Sequence, residues 1–532
     1  MNYIKYFGLV LLLFVISACE QGKYDREIEL PAEVVSGSAD FSNMVSVGAS
    51  FVAGVSDGTV FLKSQENSFP NIIAHQMTLA GGGEFVQPLV DDNIGGLLYL
   101  GNTLAGPRLY FDGSGPAPVD GSPTTEVTNI LAGPFNNMGV PGAKSFHFIT
   151  PGYGNVAAVP DRLANPYFAR MASSPTATVL GDAVAQNPTF FILSEIAGND
   201  VLAYATSGGT GVDQTGNPNA ATYGPNDITD PGLFAQVASK MIGDLTATGA
   251  KGVMGNVPAV TSLPYFTTVP YAPLDPRNPS FGPLIPSLNA LYSQLNLAFQ
   301  FLGVPERSIV FSETAASAVV IEDESLADIS AQLTQILQNL PPPLVSLDPL
   351  TATLLGNQFG QCRQATEADL LVLPSSNVIG GLNQDYFNFL TGNGVLEDQA
   401  ANLSVDGVTL PLGDEWVLIP DEQEAIMNAT NAYNATIQSL ATQAGLGLVD
   451  AKGLLEQLST GGIASDGFVL TGDYVTGGAF SMDGIHLNAR GYAFLANEFL
   501  KAIDDTYGSN FEDANALVDI GEYPAFYPAT LR

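Results

Sequence analysis

Two short segments at opposite ends of this 532-residue chain constrain it more than anything between them. Near the start, the apolar run Met44-Val45-Ser46-Val47 leads into Gly48-Ala49-Ser50. Near the finish stands Ser481-Met482-Asp483-Gly484-Ile485-His486-Leu487-Asn488. The first predicts a serine at the carboxyl end of a strand, where open parallel sheets carry their sites. The second predicts an acid and a histidine one turn apart, just ahead of a helix. The chain has only three histidines, so one in this setting asks for a role. A serine hydroxyl is a weak nucleophile until a base lies within hydrogen-bond reach and a third group orients that base. Ser50, His486 and Asp483 supply those three types, the acid fixing the imidazole tautomer while the other ring nitrogen faces the serine.

The rest of the composition narrows the choice. Hydrophobic residues make up 46% and charged residues 13%, which builds a core rather than a disordered chain. Length alone suggests roughly two to four domains. The net charge of -36, with 17 basic residues against 53 acidic and no Lys/Arg cluster, excludes nucleic acid as a partner. At the N-terminus, Lys5 precedes an apolar stretch at 6–15, shorter than the ~20 residues a membrane span needs. It ends in Ile16-Ser17-Ala18-Cys19, which resembles the lipobox of bacterial lipoproteins. That resemblance implies a signal peptide at 1–18, a lipid on Cys19 and, with Glu20 next, an anchor in the outer membrane. Lipidated Cys19 leaves Cys362 alone, so neither an intramolecular disulfide nor a zinc site follows.

Residues 19–40 read as a tether, and the globular domain is expected over 41–506. Strands are expected at 45–47, 190–193, 252–254 and 448–449, with helices at 69–79, 232–245, 424–444 and 488–503. Such alternation predicts an α/β fold in three α/β/α layers around a parallel sheet. Residues 81–130 read as a Gly/Pro-rich excursion with strand-like pieces at 97–100 and 108–111. Residues 261–420 break the rhythm and read as a large insertion with helices at 283–302 and 325–337, otherwise loops. The tail at 507–532 shows no clear element.

Acyl transfer also needs donors for a developing oxyanion. Two segments offer them: Asn136-Asn137-Met138-Gly139-Val140-Pro141-Gly142, and Ala197-Gly198-Asn199-Asp200 after the strand at 190–193. With these in place the chain resembles the SGNH, or GDSL-type, hydrolases. Their Gly-Asp-Ser-Leu corner matches Gly48-Ala49-Ser50-Phe51, and their Asn-x-Gly-x-x-Gly loop matches Asn137 to Gly142. Their Gly-x-Asn-Asp block matches Gly198-Asn199-Asp200, and Asp-x-x-His matches Asp483 to His486. Asn256-Val257-Pro258 looks like a further family segment. The resemblance covers 41–260 and 421–506 and leaves the insertion unexplained.

It implies a flavodoxin-like core, Ser50 as nucleophile, His486 as base and Asp483 as its orienting acid. It also implies an oxyanion hole of the Ser50 and Gly142 N–H groups with the Asn199 amide. No metal or organic cofactor is implied. Ala49 departs from the family's aspartate, which removes a side chain that braces the loop. The expected substrate is a carboxylic ester, either lipid-like or an acetylated glycan. The alternative expectation is a non-catalytic surface lipoprotein that binds glycan or lipid on the same scaffold. Gly54-Val55-Ser56-Asp57-Gly58 fits the nucleophile-elbow pattern of α/β-hydrolases, but Thr59-Val60-Phe61-Leu62-Lys63 suggests no helix after it, so Ser56 is read as a decoy. His75, in a helix, and His147, in the strand-like Phe146-His147-Phe148, are read as structural.

Overall fold

The apolar runs condense into one sheet. The computed structural model describes residues 33–340 and 346–531, so the expected signal peptide, lipobox and Cys19 lie outside the described residues. β1 (Met44–Gly48), β2 (Asn137–Gly139), β3 (Phe190–Ser194), β4 (Lys251–Gly255) and β5 (Gly447–Val449) are parallel throughout. β1 and β3 are buried at every position, which is why neither alternates polar with apolar residues. The order across the sheet is 2-1-3-4-5. That order reverses between β1 and β3, and in doubly wound sheets the crevice at the carboxyl ends of such a pair receives ligands.

The helices are α1 (Ser50–Ala53), α2 (Phe69–Met77), α3 (Asn199–Thr206), α4 (Pro231–Thr246), α5 (Pro420–Ala444) and α6 (Ala489–Tyr507). α2 and α6 pack together, with α6 on β4 and β5; α3 and α4 pack on α5, which lies on the same two strands. The result is an α/β fold with helices around a central parallel sheet. Local chemistry sets the helix ends. Pro420 opens α5, where a missing N–H is harmless, and Gly445 closes it at φ +64°. The Asn488 side chain accepts the Gly491 N–H at 2.9 Å and caps α6.

Several expectations are corrected. β2, three residues with no apolar run, was read as loop; it forms because Ser46, Val47 and Gly48 offer it a ladder. The insertion, expected as a subdomain, has a hydrophobic core of its own, running from Val269 to Ile419 and including Tyr292, Phe299, Ile321 and Phe359. Beside Ile285–Leu302 and Ser330–Gln338, its described residues hold the α-helices Pro264–Thr267, Pro349–Phe359, Gln384–Gly392 and Glu397–Leu403. The expected tether is bound from residue 33 onward: the Val35 N–H donates to Asn510 at 2.7 Å, and Ala39 is buried. The tail is likewise docked. Phe511 is fully buried, and Tyr527 packs edge-on against Phe61 at 5.0 Å.

Two glycines set the geometry beneath Ser50. A Cβ on Gly48 would collide with the Ser194 carbonyl of β3, and one on Gly139 would collide with the backbone of Ala53 in α1. Gly48→Ala should therefore lower stability by about 1–3 kcal/mol, the ordinary cost of overpacking. Urea unfolding checks this, and an unchanged midpoint would contradict the close approach of β1 and β3.

Candidate functional site

β1 delivers Ser50 as the first residue of α1, so its N–H is one of the orphan donors of a helix start. α1 lasts a single turn, closed by Gly54 at φ +79°. The chain then makes a tight turn through Ser56, Asp57 and Gly58, with Asp57 at φ +53° and Gly58 at φ +87°. This is the segment read as a decoy; a five-residue helix, Leu62–Glu66, does follow it, contrary to expectation, and the turn is bound to the histidine loop. The Gly58 N–H donates to Asp483 Oδ2 at 2.9 Å, the Asp57 N–H donates to Ser481 Oγ at 3.0 Å, and Asp57 Oδ1 accepts the Met482 N–H at 3.0 Å. Ser56 Oγ is buried with no partner among the described residues. Loss of solvent, with Asp483 close by, pushes Asp57 up to about 7.

Asp483 is saturated. Its Oδ1 accepts the N–H groups of Ile485 (2.9 Å) and His486 (2.8 Å) and the Ser481 hydroxyl (3.0 Å). Its Oδ2 takes Gly58 and lies 2.8 Å from His486 Nδ1. Desolvation opposes its charge, but the His486 imidazole and these N–H donors outweigh it and hold Asp483 well below the usual carboxylate range. Desolvation likewise opposes a charge on His486, yet Asp483 and then Glu195 raise it above an ordinary imidazole. The expected acid–base pair is thus formed.

The expected serine–base contact is not made. His486 Nε2 is shut off from solvent with no hydrogen-bond partner among the described residues. Ser50 Oγ instead donates to Glu195 Oε1 at 2.9 Å, and the Phe51 N–H donates to Glu195 Oε2 at 2.7 Å. Ser50 and His486 still share a corner, because the Phe51 ring lies 5.7 Å from the imidazole. Glu195 was missed in the sequence. Its signal is a lone acid between Phe190-Phe191-Ile192-Leu193 and Ile196-Ala197, apolar on both sides.

The expected oxyanion donors lie on two linked loops. Gly142 is exposed at φ +77°, with open space where a side chain would stand. Asn199 opens α3, and its Nδ2 donates to the Ala143 carbonyl at 3.0 Å, which leaves one amide hydrogen free. Asp200 accepts the N–H (2.8 Å) and hydroxyl (2.7 Å) of Ser145. The Gly-Asn-Asp segment therefore clamps the 142–145 loop onto α3. Asn137 is structural, its amide donating to the Val52 carbonyl at 2.9 Å. Asn256 ties β4 to the end of β5 through Asp450, at 2.7 Å.

An apolar cavity of about 90 Å³ adjoins the site, lined by Phe51, Glu195, Leu202, Val260, Leu454 and Ile485. Core elements line most of it. The insertion has its own cavity of about 820 Å³, bordered by Leu274, Phe281, Leu373 and Tyr474. It also leans on the Asp483 turn: the Tyr265 N–H donates to the Gly484 carbonyl at 2.9 Å. Away from the site, Glu324, Asp414 and Glu422 bring carboxylate oxygens within 4.8 Å of one another. Desolvation and mutual repulsion push Asp414 up to about 7 and Glu422 up to about 9. Cys362 is buried, its thiol pushed up by desolvation. His75 is exposed on α2.

In comparisons with protein-family models, curated proteins and solved structures, nothing matches this chain. Among the described residues, no helix is long and apolar enough to cross a membrane.

His147 lies in a 3-10 turn, Ser145–Ile149, and not in the expected strand. It stacks on Tyr153 at 4.3 Å, and its Nδ1 accepts the Lys144 N–H at 3.0 Å. Desolvation, with Lys144 close by, lowers it to about 4. A folded value below the ordinary 6.5 gives stability that is full above 6.5 and lost as pH falls toward about 4. His147→Gln, which has an acceptor but no titration, should flatten the acid-side decline in urea melts between pH 6.5 and 4. An unchanged slope would contradict a neutral His147.

Proposed function

We propose that the chain is a serine esterase of the SGNH type, built on a flavodoxin-like three-layer core and anchored by a lipid on Cys19 to the outer membrane. The observation that carries this reading is the Asp483–His486 pair at 2.8 Å, in the same corner as the serine that opens α1 just after β1, at the switch point of the sheet. Ser50 attacks the ester carbonyl while His486 takes its proton. The Ser50 and Gly142 N–H groups and the free Asn199 amide hydrogen receive the oxyanion. The alkoxide leaves with the proton from His486, and water releases the acyl group by the reverse path. The chemistry draws on side chains and backbone alone. The apolar cavity supports a lipid-like acyl group over acetylated glycan.

Ser50→Ala and His486→Ala should each cut ester turnover by about 10⁴-fold or more while the fold persists. Asn199→Ala should lower kcat by about 10²–10³-fold. Full activity in purified Ser50→Ala would overturn the reading.

A second reading, a surface protein that binds glycan or lipid without cleaving it, is favoured by one observation: Ser50 Oγ bonds to Glu195 and leaves His486 Nε2 unpaired. A fluorophosphonate probe separates the two. Covalent labelling mapped to Ser50 is expected for the esterase, and an unlabelled native protein would establish the binding reading.

A further inference from the structure

Glu195 sits where its conformation is unfavourable and its contacts are specific. Its backbone is left-handed at φ +56°, uncommon for a residue with a side chain and frequent at functional sites. Both its carboxylate oxygens go to one corner, the Ser50 hydroxyl and the Phe51 N–H. Its stem lies against Gly198, where an added Cβ would stand 2.6 Å from Glu195 Cγ. Gly198 therefore leaves the room that Glu195 occupies. Ala49 heads α1 without a side-chain cap, and Glu195 supplies that cap from β3 by accepting the second N–H of the helix.

We propose, resting on the esterase reading, that Glu195 is the positioning residue of this site, holding Ser50 Oγ off His486 Nε2 until a substrate carbonyl arrives and facing the imidazole with a second negative charge. When the ester enters, Oγ turns from Glu195 Oε1 to His486 Nε2. The O–H bond breaks and its proton passes to Nε2. The freed electron pair of Oγ bonds the carbonyl carbon as the carbonyl π pair moves onto its oxygen. Collapse expels the alkoxide, which takes the proton from Nε2. Desolvation raises Glu195 above the usual carboxylate range, while His486, the Phe51 N–H and the Ser50 hydroxyl favour its charged form; in that form it stabilises the imidazolium that exists only between those steps.

The groups that face His486 come from several elements. Asp483 lies on its own loop and Glu195 at the end of β3; Asp57 stands behind Asp483, with Arg108 acting on Asp57. Tyr474 and Tyr492 add phenols close to Asp483. The two carboxylates nearest the imidazole raise it together, and removing one lowers it.

The test is Glu195→Gln, which removes the charge and nearly keeps the shape. With three histidines in the chain, the Cε1–H resonances give three NMR titrations, assigned by His75→Gln and His147→Gln. The His486 midpoint should fall by about one pH unit, and the acid limb of kcat/KM for a p-nitrophenyl ester should move down with it. His75 and His147 should not move. Should Glu195→Gln fail to fold, Gly198→Ala serves, because it displaces the Glu195 stem and should lower the same midpoint. An unmoved His486 midpoint and an unmoved acid limb would reduce Glu195 to a structural cap and overturn the proposal. Labelling of the wild-type protein by fluorophosphonate separates this failure from that of the esterase reading: a labelled Ser50 with an unmoved midpoint sinks the role of Glu195 alone, and an unlabelled Ser50 sinks both.

Discussion

The structure turns on one carboxylate. Asp483 receives the N–H of Gly58 across 425 positions of chain while holding the ring and the N–H of its own His486. A charged acceptor with several N–H donors binds far more strongly than a neutral turn does. The histidine loop is therefore held from the N-terminal side, by the turn that follows α1, as well as by its own backbone. Ser50 and His486 share a corner because the chain between them folds back onto that turn. The Gly-x-Ser-x-Gly pattern that imitates a nucleophile elbow is the receiver of this contact, with left-handed Asp57 and Gly58 aiming their N–H groups at the opposite loop.

The other supports follow the same logic. Asn199 and Asp200 tie the Gly142 loop to α3, so the start of that helix fixes two segments that sequence alone leaves independent. The insertion touches the site through backbone and edges: Tyr265 bonds the Gly484 carbonyl, and Leu373 crowds Gly484 on the other side. It has a core of its own, yet its Leu263, Phe266, Val372 and Leu418 pack into the core of the sheet. The cavity next to Ser50 belongs to the sheet and its helices, so shape at the reacting centre and bulk at the periphery come from different parts of the chain.

Much of the sheet was legible because strands buried on both faces are unbroken apolar runs, as in β1 and β3. The Asp483–His486 pair was legible because it is local, three residues apart. What escaped had no local signature. β2, Asn137-Met138-Gly139, has a single apolar side chain and is ordered as a strand by its pairing with β1. The insertion helices Gln384–Gly392 and Glu397–Leu403 are short and mostly exposed, so little apolar periodicity marks them. Phe146-His147-Phe148 alternates like a strand yet curls into a 3-10 turn, because His147 Nδ1 takes the Lys144 N–H. Glu195 is a lone acid in an apolar stretch, with nothing nearby in sequence to pair with it. Only the fold brings the start of α1 to it and gives a carboxylate two donors to accept.

The proposed esterase chemistry requires that Ser50 be acylated with help from His486. Rapid acid quenching after mixing with p-nitrophenyl octanoate, followed by intact-mass and peptide mass spectrometry, tests it most directly. One octanoyl group per chain is expected, carried on the peptide containing Ser50 and absent from His486→Ala. An unmodified chain that still turns over the ester, or an acyl group found on Ser56, would contradict it.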